Sequence, residues 1–114
     1  MTSKFLKIPI TFTQDLSTGA LSYTTSIDSR RFKLEEVTIH FSTAITETVK
    51  VYRDSLTGAN YDPLLASRAM LSETDFVFRP TGECNFYNGD QVKVTCTNAN
   101  LTGVAYGELR LSEI

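Results

Sequence analysis

The stretch YRDSLTGANYDPLL, residues Tyr52 to Leu65, gathers Asp54, Asn60 and Asp62 around Gly58. Oxygen-bearing side chains in an irregular loop are what a calcium ion collects, roughly six to eight donors at a time. An EF-hand loop puts ligands at its first, third and fifth positions and glycine at the sixth. Here the third position is Leu56 and the fifth is Gly58, so the pattern fails. The loop is expected to be an inter-strand connection in which Gly58 takes a positive φ. His40 is the only imidazole, set between Ile39 and Phe41. A nucleophile–histidine–acid set would need it, but no nucleophile elbow or other catalytic motif surrounds it. It reads as a solvated or interface-facing strand residue. Glu35–Glu36, Glu73/Asp75 and Glu108/Glu113 are clustered carboxylates of the kind a glycosidase would set across a cleft. Acidic residues on strand exteriors and near turns are the plainer reading. Cys84 and Cys96 form no C-x-x-C, and with one histidine they cannot build a zinc site. A disulfide between them requires neighbouring strands, and cytoplasmic folding favours free buried thiols. No cofactor is expected.

The elements that carry these residues alternate with period two. In KFLKIPITF, Phe5, Ile8, Ile10 and Phe12 alternate with polar residues and with Pro9, which cannot donate to a ladder and marks an edge strand or the neighbourhood of a bulge. After the turn TQDLSTG, Leu21 and Tyr23 resume the pattern; SIDSRR is the next turn. In RFKLEEVTIHF, Phe32 and Leu34 have one parity, and Val37, Ile39 and Phe41 the other. A bulge near Glu35–Glu36 reconciles them. Deleting either glutamate is therefore expected to throw Phe32 and Leu34 out of phase, at several kcal/mol, since a buried large apolar side chain contributes about 1.5–3 kcal/mol. Val49 and Val51 point inward from the next strand. PLLASRAML is compatible with a helix, because Asp62–Pro63 resembles an N-cap and first helical position. The strand reading is preferred, because strand-like runs flank it; its apolar start is expected to lead straight back into the core. TDFVFRP, the short ECNFY, a hairpin-type NGD turn, QVKVTCT and VAYGELRLSEI complete the chain. Eight or nine short strands with a turn about every ten residues argue for an all-β sandwich or barrel; the expected fold is one domain, 1–114, an antiparallel, jelly-roll-like β-sandwich of about eight strands.

The 114 residues, 41% hydrophobic and 21% charged, are those of a soluble globular protein. No run approaches the roughly 20 apolar residues of a membrane helix, and no secretory signal is visible, so folding in a cytoplasm is expected. A net charge of −2, with Arg30–Arg31 as the only basic doublet, argues against nucleic-acid or anionic-membrane binding. Five tyrosines and no tryptophan fit protein-contact surfaces, with most rings expected to be half buried, or a weaker sugar-stacking platform.

The order VKVYRD, SLTGANYD, PLL, FYNGDQVKV and GVAYGELRLSEI resembles the small jelly-roll virion proteins of tailed bacteriophages, found on the capsid or in the head–tail region. The resemblance spans roughly residues 30–114; the helix-like PLLASRAML departs from it. It implies a structural protein, not an enzyme, whose partners are the major capsid protein and copies of itself, in a virion assembled in the host cytoplasm. The first expectation is a capsid decoration (cement) protein, dimeric or trimeric, bound where capsomers meet. The others are a neck, tail or fibre component and a carbohydrate-binding module for host adhesion. Contact residues are expected at Lys4 and Phe5 in a flexible N-terminal arm (residues 1–5) that adds to a neighbour's sheet edge, at Arg30 and Arg31, and at Tyr61 and Tyr87.

Overall fold

A computed structural model describes residues 7–25, 31–87, 89–97 and 102–113. The arm, Lys4, Phe5 and Arg30 lie outside them. The described residues form nine strands: β1 (Lys7–Asp15), β2 (Leu21–Thr25), β3 (Phe32–Ile45), β4 (Thr48–Asp54), β5 (Leu64–Ala69), β6 (Glu73–Phe78), β7 (Asn85–Phe86), β8 (Gln91–Cys96) and β9 (Val104–Glu113). One sheet runs β1-β9-β3-β6, with β7 also paired to β3; the other runs β2-β8-β4-β5. All pairings are antiparallel, and they nest: β1 with β9, β2 with β8, β3 with β6, β4 with β5. This is one long hairpin rolled across two sheets, the jelly-roll arrangement. The 55–63 loop lies at its tip.

The period-two residues become the core. Phe32, Phe41, Phe76, Phe86, Leu109 and Leu111 are among the side chains buried between the sheets. Pro9 sits on β1, an edge strand, where proline is tolerated. The 63–71 segment holds a strand, not a helix: β5 (Leu64–Ala69) borders the second sheet. It does not run into the core as its PLL start suggests. Leu64 is half exposed, and a register shift between Val51 and Tyr52 leaves Leu65 to pack inward as an extra residue. At an open edge only one flank is covered, so apolar residues there stay partly in water.

The bulge falls where the parity break places it. Leu34 faces Leu111 and Glu36 faces Arg110, so Glu35 has no opposite on β9. That same register overturns the deletion expectation. Without Glu35 the strand reads Phe32-Lys33-Leu34-Glu36-Val37, already in phase with β9.

Asn88 of the NGD turn lies outside the described residues; the Asp90 N–H donates to the Tyr87 carbonyl at 2.9 Å, and no hairpin is closed. β7 lies in the first sheet and β8 in the second, so the turn crosses between sheets. A short turn satisfies its own backbone in either case; only the partners of the flanking strands distinguish the two. Cys84 and Cys96 are both free. Cys84 precedes β7 at one end of the sandwich, and Cys96 closes β8 near the other. Burial raises the Cys84 thiol, which Arg53 partly offsets, and burial aided by Glu47 pushes Cys96 up to about 11. Both stay protonated near neutrality and are poor nucleophiles.

A candidate interaction surface at the hairpin tip

The tip loop leaves β4 at Asp54 and makes one 3-10 turn, Ala59–Tyr61, before β5. Gly58, at φ 140°, permits the entry to that turn. Asp62 spends a carboxylate oxygen on the Ser55 N–H at 2.7 Å. This folds the loop onto itself; among the described residues no group of three His, Cys, Asp or Glu could hold a metal ion.

A second carboxylate ties the tip to the sheet crossing. Asp90, 8% exposed, accepts the Leu56 N–H at 3.1 Å and the Tyr87 N–H at 3.2 Å, and its own N–H donates to the Tyr87 carbonyl at 2.9 Å. Gly89, at φ 91°, completes the crossing, and a Cβ there would lie 2.5 Å from Leu56 Cδ2. Leu56 therefore rests over a position that only glycine leaves open. Arg53 reaches the Asn85 carbonyl at 3.2 Å from below.

The result is a shallow concavity of about 320 Å³ lined by Arg53, Ser55, Leu56, Thr57, Tyr61, Tyr87 and Asp90. Leu56 is 72%, Tyr61 63% and Tyr87 55% exposed. Tyr61 and Tyr87, expected as contact residues, thus come together although they are distant in sequence. For Leu56 the sequence carries no contact signal beyond a large apolar residue inside a turn. Arg31 is exposed and immediately precedes β3. Phe32 faces Phe86 and Lys33 faces Asn85, so one further step of that ladder would bring Arg31 opposite Tyr87. The expectation of half-buried tyrosines holds for Tyr23 and Tyr52 but not for Tyr61, Tyr87 and Tyr106, which are more exposed than buried. Replacing Asp90 by alanine strips two N–H groups of their acceptor. The expected loss is about 1–3 kcal/mol in chemical denaturation, with Tyr61 and Tyr87 rings gaining mobility in NMR.

The remaining candidates stay apart from this end. His40 points outward, as expected, and its Nδ1 lies 2.6 Å from Asp75 Oδ1. The register places Tyr106, not a serine or cysteine, opposite His40. Glu36 is bridged by Arg79 at 2.5 Å and Arg110 at 3.8 Å. Glu35 accepts from Lys7 at 3.1 Å and from the buried Ser112 hydroxyl. The Ser112 bond first, and Lys7 after it, hold the Glu35 carboxyl below its usual range. These carboxylates are saturated by cations and hydroxyls, which is how a strand exterior is built and not how an acid–base pair is kept free.

No protein-family model matches the sequence, and neither does any curated protein. Similar solved structures include infectious bursal disease virus Gx strain, at 10% identity and TM-score 0.47, covering 96% of this chain and 33% of that one. The chain thus spans about a third of that protein's length. Another is from Bacillus endospore appendages, described as a novel family of disulfide-linked pili, at 14% identity and TM-score 0.46, covering 98% and 91%. A third is the extra small virus of the prawn Macrobrachium rosenbergii, at 13% identity and TM-score 0.37, covering 98% and 81%. The jelly-roll assignment rests on the strand order of this chain, not on these likenesses.

Proposed function

We propose that the protein is a structural virion component, a capsid decoration (cement) protein that binds the assembled head of a tailed bacteriophage and strengthens contacts between capsomers. The observation that carries this reading is the hairpin tip. Leu56, Tyr61 and Tyr87 stand more than half exposed around one shallow concavity, held there by Asp90. Exposed aromatics over a fixed backbone are the make-up of a protein-contact surface. The resemblance in strand and turn order to small phage jelly-roll proteins supports the same reading. Repetition over a symmetric shell would let modest contacts hold each copy by avidity. In this reading the protein is no enzyme, and its place is the virion, assembled in the host cytoplasm.

Mass spectrometry of purified virions tests it. Hundreds of copies per particle are expected, and a dozen or fewer would replace cement with a neck, tail or fibre role. On undecorated heads, Tyr61→Ala and Tyr87→Ala should each weaken binding about tenfold, the size of a moderate interface contact. The same two rings also admit a glycan for host-surface adhesion. Saturable binding of host polysaccharide at millimolar concentrations would favour that second reading.

A further inference from the structure

The outer face of the second sheet carries two lysines without a carboxylate partner among the described residues. Lys50 lies on β4 and Lys93 on β8, the two inner strands of that sheet. Lysine on a strand often guards an open edge against pairing with another chain. These two guard none, because each strand is paired on both sides. Lys50 faces Thr95 and Lys93 faces Tyr52, which makes the lysines diagonal neighbours about 7–8 Å apart. Opposite charges across a pair of strands stabilise a sheet and like charges weaken it. The register gives each lysine a neutral partner and sets the other lysine diagonally beside it. Both are half-buried, and neither forms an ion pair among the described residues.

The acids nearby do not cancel them. Asp54, two residues beyond Tyr52 on β4 and opposite Gln91, is the one carboxylate on this face among the described residues. It stands diagonal to Lys93, yet the Lys93 ammonium lies over the Tyr52 ring, 5.8 Å from its centroid. Glu47, just before β4, has the parity of the buried Val49 and Val51, and its charge is felt at the buried Cys96 thiol. Lys50, Lys93 and Tyr52 line a shallow concavity of about 530 Å³ with Ser22, Thr48 and Thr95, and no carboxylate lines it. None of the exposed large apolar residues lines it either: Leu64, across from Tyr52 on the edge strand, stays outside.

The chemistry of the concavity selects its occupant. A protein partner needs apolar or aromatic anchors at the centre of its contact, and the one ring here is half-buried beneath a lysine. A nucleic acid needs a cation for each phosphate contact, and the face offers two. An isolated phosphate favours free backbone N–H groups, which inner strands have committed to their ladders. A sugar that bears a carboxylate matches what remains. Its carboxylate takes charge-assisted hydrogen bonds from ammonium groups, and its hydroxyls exchange hydrogen bonds with serine and threonine. Tyr52 holds the Lys93 ammonium in place by a cation–π contact. We infer that the outer face of the second sheet binds an acidic saccharide, its carboxylate between Lys50 and Lys93 and its hydroxyls on Ser22, Thr48 and Thr95. This site goes beyond attachment to the phage head and shares no residue with the tip concavity. With little apolar surface to bury, the affinity is weak, roughly 0.1–1 mM.

NMR titration of the isotope-labelled chain tests this without any virion. Three probes are compared: a trisaccharide of galacturonic acid, its neutral methyl ester, and triglutamate. The acidic trisaccharide should shift the amide signals around Lys50, Tyr52, Lys93 and Thr95 and saturate near millimolar concentration. The ester keeps the hydroxyls without the charge, and triglutamate keeps the charge without the sugar hydroxyls; each should bind about tenfold more weakly. The double variant Lys50→Gln, Lys93→Gln should remain folded by circular dichroism, because both side chains lie on the outer face, and should bind the acidic trisaccharide about tenfold more weakly than the wild type. No shift at roughly 10 mM trisaccharide, an ester that binds equally, or a double variant that binds as the wild type would overturn the inference. Triglutamate binding as tightly would replace the saccharide with an acidic peptide. Shifts confined to Tyr61 and Tyr87 would move glycan binding to the tip and overturn the site. None of these outcomes touches attachment to the phage head, which is read separately on whole particles.

Discussion

Replacing Gly107 by alanine should cost about 2–4 kcal/mol and lower the melting temperature by roughly 8–16 °C. In most strands the change would help, because glycine loses about 0.5–1 kcal/mol to chain entropy. Here Gly107 lies in the middle of β9, opposite Phe12 on β1 and Ile39 on β3. A Cβ at this position would sit 2.0 Å from Phe12 Cε2 and 2.1 Å from Cζ. The ring has little room to retreat: Phe12 is 8% exposed and stacks on Tyr23 of the other sheet, centroids 4.2 Å apart and planes 16° from parallel. The added methyl group must push the ring off Tyr23, which forfeits its burial and about 0.5–1.5 kcal/mol of ring pairing. A double-mutant cycle isolates the cause. Phe12→Ala should cost about 3–5 kcal/mol alone, and Gly107→Ala should add little once the ring is gone. Additive losses would show that the clash is not the mechanism.

Deleting Thr38 should abolish folding, whereas deleting Glu35, a few residues earlier in the same strand, should leave a folded protein. Thr38 lies in regular ladder, facing Glu108 on β9 and Val77 on β6. Without it, two registers remain. In the first, Ile39 and Phe41 turn outward and His40 turns in. In the second, the bulge is consumed, Val37 turns outward and the Glu36 carboxylate takes its place against Leu109 and Phe78. Burying an uncompensated carboxylate costs several kcal/mol, and Val37 forfeits about 1.5–3 more. Either register removes an amount comparable to the roughly 5–15 kcal/mol that holds a domain together. Deleting Glu35 only removes a residue that β9 already skips. Its cost is the lost acceptor for the buried Ser112 hydroxyl and for Lys7, about 1–2 kcal/mol. Deleting Glu36 instead yields the same polypeptide. Urea denaturation of the two deletions decides the matter, and equal losses would sink the register argument.

The expected tolerance of the Glu35 deletion reverses what the strand pattern alone predicts. The parity break at Glu35–Glu36 is visible in one strand, so the bulge can be placed from sequence. Whether a deletion hurts depends on what the partner strand does opposite it, and that partner is β9, from the far end of the chain. The same division runs through the tip. Gly58 and the failed calcium spacing are local, and they are legible as a connection. That Tyr61 and Tyr87 meet requires the Asp90 carboxylate to bind the Leu56 and Tyr87 N–H groups together, which no spacing displays.

Strand content, the inward residues and the all-β class came from the sequence by itself, because side-chain alternation is a property of neighbours along the chain; the edge position of Pro9 and the choice of sandwich over barrel needed the sheet order. The nesting of the strands, the crossing from β7 to β8 between the sheets, the half-exposed Leu64 and the gathering of Leu56, Tyr61 and Tyr87 at the tip were decided by tertiary structure alone. Each of these depends on which distant strand supplies the hydrogen bonds, and short strands of similar alternation are locally interchangeable until the whole hairpin has rolled up.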